Sequence, residues 1–328
     1  MTQEHPFATL SPDLVINAVE STGVISDARI LALNSYENRV YQVGVENGEP
    51  LIVKFYRPGR WTREQILEEH AFSLELAGLE IPVVPPQADT AGNTLQEYQG
   101  FQFAIFERRG GRSPDLDDPA NLEVMGRFLG RIHKVGALRA FRYRRSLAIT
   151  DFAEASAAYL LENGFIPLEL RQAYDSVASD LIRRLHDGYG RLSGIKPIRL
   201  HGDCHMGNVL WRDGTPHFVD FDDTMSGPAI QDLWMLLSGE REEKTAQFKH
   251  LMNGYSDFFE FNPLELHLLE ALRTMRIMHY SAWLARRWDD PAFPVSFPWF
   301  NTEKYWAGHI LELREQQSAM EEPPLELY

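Results

Sequence analysis

Apolar positions change rhythm along this chain. Up to Phe106 they gather in short runs rich in β-branched and aromatic residues, and from Leu122 onward they recur three and four apart, the helical interval. Residues 12–21 predict a short helix carrying Leu14, Ile16 and Val19 and stopped by Thr22-Gly23. Residues 30–33, 40–45 and 51–56 predict three antiparallel strands, punctuated by Asn34-Ser35 and Asn47-Gly48. A helix over about 62–77 follows, opened by Thr62 and Gln65 at capping-box spacing and broken by the prolines of 81–86. Residues 95–98 and 100–106 read as a hairpin, which completes a five-stranded small lobe. Residues 107–112 carry no apolar side chain and mark its boundary.

Asp118-Pro119 is a helix start, acid at the N-cap and proline at the first turn, with Leu122, Met125, Leu129 and Ile132 at helical spacing down to His133. The pattern is helical again over 152–192, where His186, like His133, reads as an ordinary core or surface histidine. Residues 198–200 and 217–219 predict short strands delivering His201 and Asp220, with Asp213-Gly214 as the hairpin turn between them. A long helix is expected over 263–287, then an aromatic and proline-rich stretch, 289–300, packed on the same lobe. Glu321-Glu322-Pro323-Pro324 reads as a frayed tail. The expected class is α+β in two lobes, a β-rich one over 1–107 and a mainly helical one over 108–328.

Polar residues that interrupt these patterns carry the candidate chemistry. Lys54 falls inside an apolar strand, where an ammonium needs a partner; a solvent-facing edge lysine is the alternative. Glu68 and Glu69 on the next helix are the candidate partners. Asp203 and Asn208, in His201-Gly-Asp-Cys-His-Met-Gly-Asn208, stand five apart, and Asp220-Phe-Asp222-Asp223 begins twelve residues later. That spacing suits phosphoryl transfer: one carboxylate orients the incoming hydroxyl, while an Asn and a second Asp hold Mg²⁺ on nucleotide phosphates. A lysine–glutamate pair would clamp those phosphates. His201, Asp203 and His205 also spell H-x-D-x-H, open to reading as the transition-metal site of a hydrolase.

The motifs HGDCHMGNVLW and FVDFDD resemble those of the aminoglycoside phosphotransferase and choline kinase group, which has a protein-kinase-like fold. LNSYENRVYQV, VKFYRPGRWTREQILEEH, GPAIQDLWMLLSG and RRWDDPAFPVSFPW resemble, more narrowly, a subgroup of bacterial stress-response serine/threonine protein kinases in that superfamily. The resemblance implies Asp203 as catalytic base, Asn208 and Asp220 as Mg²⁺ ligands, Asp220 thereby also serving catalysis, and Lys54 as the ATP phosphate lysine. It further implies contact of Ser35 with ATP, Glu69 rather than Glu68 as the partner of Lys54, and Asp232 and His201 as braces of the loop. Cys204 reads as a buried filler. The turn at 34–38 departs from the protein-kinase pattern, having no glycine. The acceptor implied is a protein serine or threonine, the chain itself included; a small amino alcohol, amino acid or aminoglycoside is the rival.

Composition narrows the setting. The chain has 328 residues, enough for two cores, and 44% hydrophobic residues to fill them. A net charge of -15 argues against nucleic acid and predicts an outer field that attracts cationic groups, whether a basic segment around a serine or a small amine. One cysteine permits no intrachain disulfide. Residues 1–10 show no basic region followed by an apolar run, and no stretch approaches the length of a membrane span. The expectation is a soluble, cytoplasmic monomer.

Overall fold

The computed structural model describes residues 5–192 and 194–327. Helix α1 (Pro12–Glu20) begins at Ser11, whose side chain accepts from Leu14 N. Strands β1 (Ser26–Ala32), β2 (Arg39–Val45) and β3 (Leu51–Phe55) precede helix α2 (Arg63–Gly78), then β4 (Gln96–Tyr98) and β5 (Phe101–Glu107). The five strands form one sheet in the order β1-β2-β3-β5-β4, antiparallel at every contact. Val15, Ala18 and Val19 of α1 share a buried cluster with Val43, Val53, Phe55 and Phe103, so α1 closes one face of the sheet. β1 starts four residues before the expected strand. Ala28, at φ 64°, shifts the register between Ser26 and Ile30, and the apolar alternation is lost across that bulge.

β3 lies in the middle of the sheet, with Lys54 opposite Val40 and Ala104. The solvent-facing alternative therefore fails: Lys54 is 5% exposed. In α2 both halves of the Thr62–Gln65 capping box form. The buried face of α2 is mixed, with Glu69 and His70 inward beside Ile66, while Phe72 and Leu76 join the larger core. α2 thus ties the sheet to the helical half.

That half runs α3 (Pro119–Gly136), a π-helical turn (Thr150–Glu154), α4 (Ala155–Glu162), α5 (Leu168–Arg191), β6 (Ile198–Leu200), β7 (Val209–Arg212), β8 (Thr215–Phe218), β9 (Met225–Gly227), α6 (Ile230–Trp234), α7 (Arg241–Tyr255), α8 (Leu269–Ala285), α9 (Ala292–Ser296) and α10 (Glu303–Ala319). Four expectations change. The helical stretch over 152–192 is interrupted where Gly164 takes φ 69° and Pro167 follows. The turn at Asp213-Gly214 joins β7 to β8, while β6 pairs with β9 in a separate ribbon. Residues Pro263–Leu268 wind as a 3-10 helix before α8 begins. The tail is docked: Arg241 donates to the carbonyls of Pro323 and Pro324, Arg184 pairs with Glu321, and Leu325 is buried. No helix among the described residues is long and apolar enough to cross a membrane.

Candidate active site

β6 delivers the chain to His201, and a buried carboxylate holds the loop that follows. Asp232 of α6 accepts from His201 N and from Gly202 N, both at 2.8 Å, and is fully buried. Its third contact is His133 Nε2 at 3.2 Å, and His133 Nδ1 lies 2.7 Å from the Tyr255 hydroxyl. The His201 ring donates from Nε2 to Val219 O (2.9 Å), because a carbonyl can only accept; its Nδ1 is then the acceptor facing Asp203 N (3.4 Å). Gly202 takes φ 87°, and a Cβ there would stand 2.2 Å from Asp223 O, so the two acidic loops touch through a position only glycine fits. Both nitrogens of His201 are spent on backbone, and His205 points a half-exposed ring at Asp203. H-x-D-x-H does not converge.

Asp203 Oδ1 meets Arg276 Nη1 at 2.6 Å, and Oδ2 lies 3.4 Å from His205 Nε2. Burial pushes its carboxyl up, but His205 and Arg276 outweigh burial and hold it well below the usual carboxylate range. Asn208 Nδ2 donates to Asp203 O at 3.0 Å, closing the loop on itself.

The second loop leaves β8 at Phe218, and Asp220 adopts a left-handed conformation, φ 59° and ψ 66°. For a non-glycine residue that costs about 1–2 kcal/mol, and such strain clusters at functional sites. Asp220 remains half exposed while its Oδ1 lies 3.2 Å from Lys54 Nζ. Lys54 also reaches Glu69 (3.3 Å) and Asp222 (3.2 Å), both almost wholly buried. Burial lowers the ammonium's pKa, but Asp222 and Glu69 reverse this and leave it raised. For Glu69 burial wins over Lys54 and pushes the carboxyl up to about 7. Glu68 faces away and accepts from the backbone N–H groups of Arg142, Tyr143 and Arg144. Arg60 pairs with Asp222 and Asp223, and Arg144 donates to Asp222 O and Thr224 O.

The turn between β1 and β2 forms the remaining wall. Ser35 Oγ donates to Asn38 O (2.9 Å) and Asn38 Oδ1 accepts from Arg57 N (3.0 Å), so this turn gets its shape from side chains where glycines are absent. Glu37 pairs with Arg57 of its own half (2.9 Å) and ties the turn across to the helical half through Arg287 (2.5 Å) and Trp283 Nε1 (2.5 Å). Asp290, 2% exposed in its side chain, takes Arg57 at 2.7 Å and Arg39 at 3.0 Å. Tyr36 packs on Phe297.

Ser35, Lys54, Glu69, Asp203, Asn208 and Asp220 all line one cavity of about 750 Å³. No group of three or more His, Cys, Asp or Glu able to hold a metal occurs among the described residues. The donors present are hard oxygens: the Asn208 amide oxygen, left free because its nitrogen does the bonding, and the Asp220 carboxylate. That set fits an ion such as Mg²⁺, which takes few protein ligands and completes its shell with phosphate and water.

The phosphotransferase enzyme family profile matches residues 29–269. The chain belongs to that family. It is 44% identical over 321 residues to stress response kinase A of Escherichia coli O157:H7, covering 98% of this chain and 97% of the relative. It is 42% identical, with the same coverage of both chains, to the serine/threonine protein kinase RdoA of Salmonella typhimurium. Among solved structures it superposes on an amicoumacin kinase bound to AMP-PNP and Ca²⁺ with TM-score 0.72 at 18% identity, covering 96% of each chain. A microcompartment-associated aminopropanol kinase superposes at 0.66 and 19% identity, covering 96% of this chain and 100% of that one. At those identities the likeness shows the fold: the bilobal, kinase-like α+β class expected from the motifs is the one found.

Several site residues escaped the sequence reading. Asp222 was in plain view beside Asp220, and a buried lysine asking for partners could have pointed to it. Arg144, Arg276 and the Glu37 and Asp290 pairs join residues far apart in the chain, and nothing in local spacing signals them.

Proposed function

We propose that this chain is an ATP- and Mg²⁺-dependent serine/threonine protein kinase of the stress-response type, acting in the cytoplasm as a monomer. The observation that carries it is the meeting of Asp203, Asn208, Asp220 and the Lys54–Glu69 pair in one cavity, in a chain so similar to a named serine/threonine kinase. In this reading residues 1–107 grip the nucleotide and 108–328 supply the catalytic groups and the acceptor site. Lys54 holds the ATP phosphates, Glu69 holds Lys54 in place, and Ser35 closes the turn over them. Asn208 and Asp220 would hold Mg²⁺, which when bound neutralises phosphate charge. Asp203 accepts the acceptor hydroxyl's hydrogen bond, aims its oxygen at the terminal phosphorus and takes the proton as the new P–O bond forms and ADP leaves. A carboxylate held this acidic is a weak base, which suits a loose transition state where the proton moves late.

The small-molecule alternative has one observation in its favour: the superposable structures include kinases named for amicoumacin and aminopropanol. Incubation with labelled ATP, with and without added protein acceptors, followed by phosphoamino-acid analysis, decides between them. The reading predicts phosphoserine or phosphothreonine on the acceptor or the chain. Label confined to a small amine, with none on protein, would overturn it.

A further inference from the structure

The cavity wall facing the sheet is built by α8 and residues 145–152, and its charges are arranged unevenly. Arg276 and His279 stand one turn apart on α8. Arg276 spends one nitrogen on Asp203, and the rest of its donor fork has no partner among the described hydrogen bonds. Arg145 makes no side-chain hydrogen bond there at all, and its Nε is buried without a partner. Its nearest carboxylate, Asp223, lies 3.6 Å away and is already held by Arg60 at 2.6 Å. The Arg145 guanidinium instead lies over the Phe152 ring (4.6 Å), and that ring is 4.6 Å from His279. Phe152 sits on the π-helical turn, a distortion frequent at functional sites. Burial keeps His279 neutral near pH 7, its pKa lowered to about 3. The two carboxylates of this wall, Asp203 and Asp223, are thus each occupied by an arginine, while two guanidinium groups keep unused donors.

A cation entering here meets, in Asp203 and Asp223, carboxylates already paired with arginines. An anion meets planar donor forks matched to carboxylate or phosphate. We propose that the acceptor half of the cavity selects an acidic acceptor, the serine or threonine that reaches Asp203 lying beside a carboxylate or phosphate group gripped by Arg145 and Arg276. This rests on the protein-kinase reading and narrows its substrate. It also reverses the expectation drawn from net charge: a field of -15 acts outside the cleft, but nearby arginines govern what binds within it.

The test separates binding from transfer. Three peptides of equal length, with one serine flanked by glutamate, alanine or lysine, are titrated by calorimetry into the protein loaded with Mg²⁺-AMP-PNP. The glutamate peptide should bind about tenfold or more tightly than the lysine peptide. Arg145→Gln should erase most of that preference and Arg145→Glu should invert it, with melting curves and nucleotide affinity confirming intact folding. Equal binding, tighter binding of the lysine peptide, or no measurable binding of the glutamate peptide overturns the proposal. So does an Arg145→Gln variant that loses nucleotide affinity while keeping the peptide order, since the arginine would then serve ATP phosphates. Transfer from labelled ATP to the same peptides reports on the kinase reading by itself. Charge-dependent binding without phosphoserine sinks that reading and leaves the anion site standing; labelling of only the lysine peptide does the reverse.

Discussion

Two loops meet over the cavity, and they are held in opposite ways. The loop from His201 to Asn208 is fixed from within one half of the molecule, by backbone N–H groups donating to a fully buried Asp232. The turn from Asn34 to Asn38 is fixed from across the molecule, by Glu37 and Asp290 pairing with arginines of both halves. Hydrogen bonds of the first kind are short-ranged, dry and hardly screened by salt. Ion pairs of the second kind close a long chain separation. The loop bearing Asp203 and Asn208 is therefore built to stay still, and the facing turn to be latched.

The largest expected effect falls on the still loop. Asp203→Asn should lower phosphate transfer by about 10³-fold or more, since a general base in such a site contributes up to about 10⁴. Asp232→Asn should come next. The amide sets an NH₂ donor where one carboxylate oxygen accepts, so a buried N–H loses its partner at a cost of about 1–3 kcal/mol, read as a lower melting temperature together with a lower kcat. If Asp232→Asn melted and turned over like wild type, the contrast between the loops would be broken. Glu37→Gln and Asp290→Asn should act on the latch, raising KM for ATP by about three- to tenfold with little change in kcat, because about 1 kcal/mol of ordering moves into the binding step. Added salt should change the wild-type KM little, because these pairs are buried and screened far less than surface pairs.

Acid should act on the buried histidines outside both loops, with a smaller effect. Buried His70 has its pKa lowered to about 3, below the value of about 6.5 in an unfolded chain. The folded state then binds fewer protons, so this stability is present above pH 6.5 and lost as pH falls toward 3, by about 1.4 kcal/mol per unit. His279 adds a parallel loss. Burial raises the pKa of Asp290, but Arg57 and Arg39 leave it below the ordinary carboxylate range, so its ion pairs persist in mild acid. Melting temperature should decline between pH 6.5 and 5, with a shallower slope in His70→Gln.

How far the sequence could be read follows the same division. His201, Asp203 and Asn208 lie within eight residues of one another and their geometry is local, so spacing exposed them. The capping box at Thr62, the strand bearing Lys54 and the Asp220 motif were legible for the same reason. Arg276 reaches Asp203 across 73 residues and Asp290 reaches Arg39 across 251, and no periodicity reports contacts at that range. Between β6 and β9 the intervening hairpin misled the pairing, because two short strands flanking a turn signal need not be the two it joins. Net charge averages over the whole surface, so it could not report the arginines Arg145 and Arg276 that line the cavity.

The proposed function divides labour inside the cavity, with Asn208 and Asp220 as the metal-holding pair and Asp203 as the group that faces the acceptor. Calorimetry of AMP-PNP binding across a Mg²⁺ titration, in wild type, Asp203→Asn and Asp220→Ala, tests it most directly. Asp203→Asn should bind as wild type does, and Asp220→Ala should lose the Mg²⁺-dependent part of the affinity. An Asp220→Ala protein that keeps full Mg²⁺ dependence, or an Asp203→Asn protein that loses it, would contradict the account.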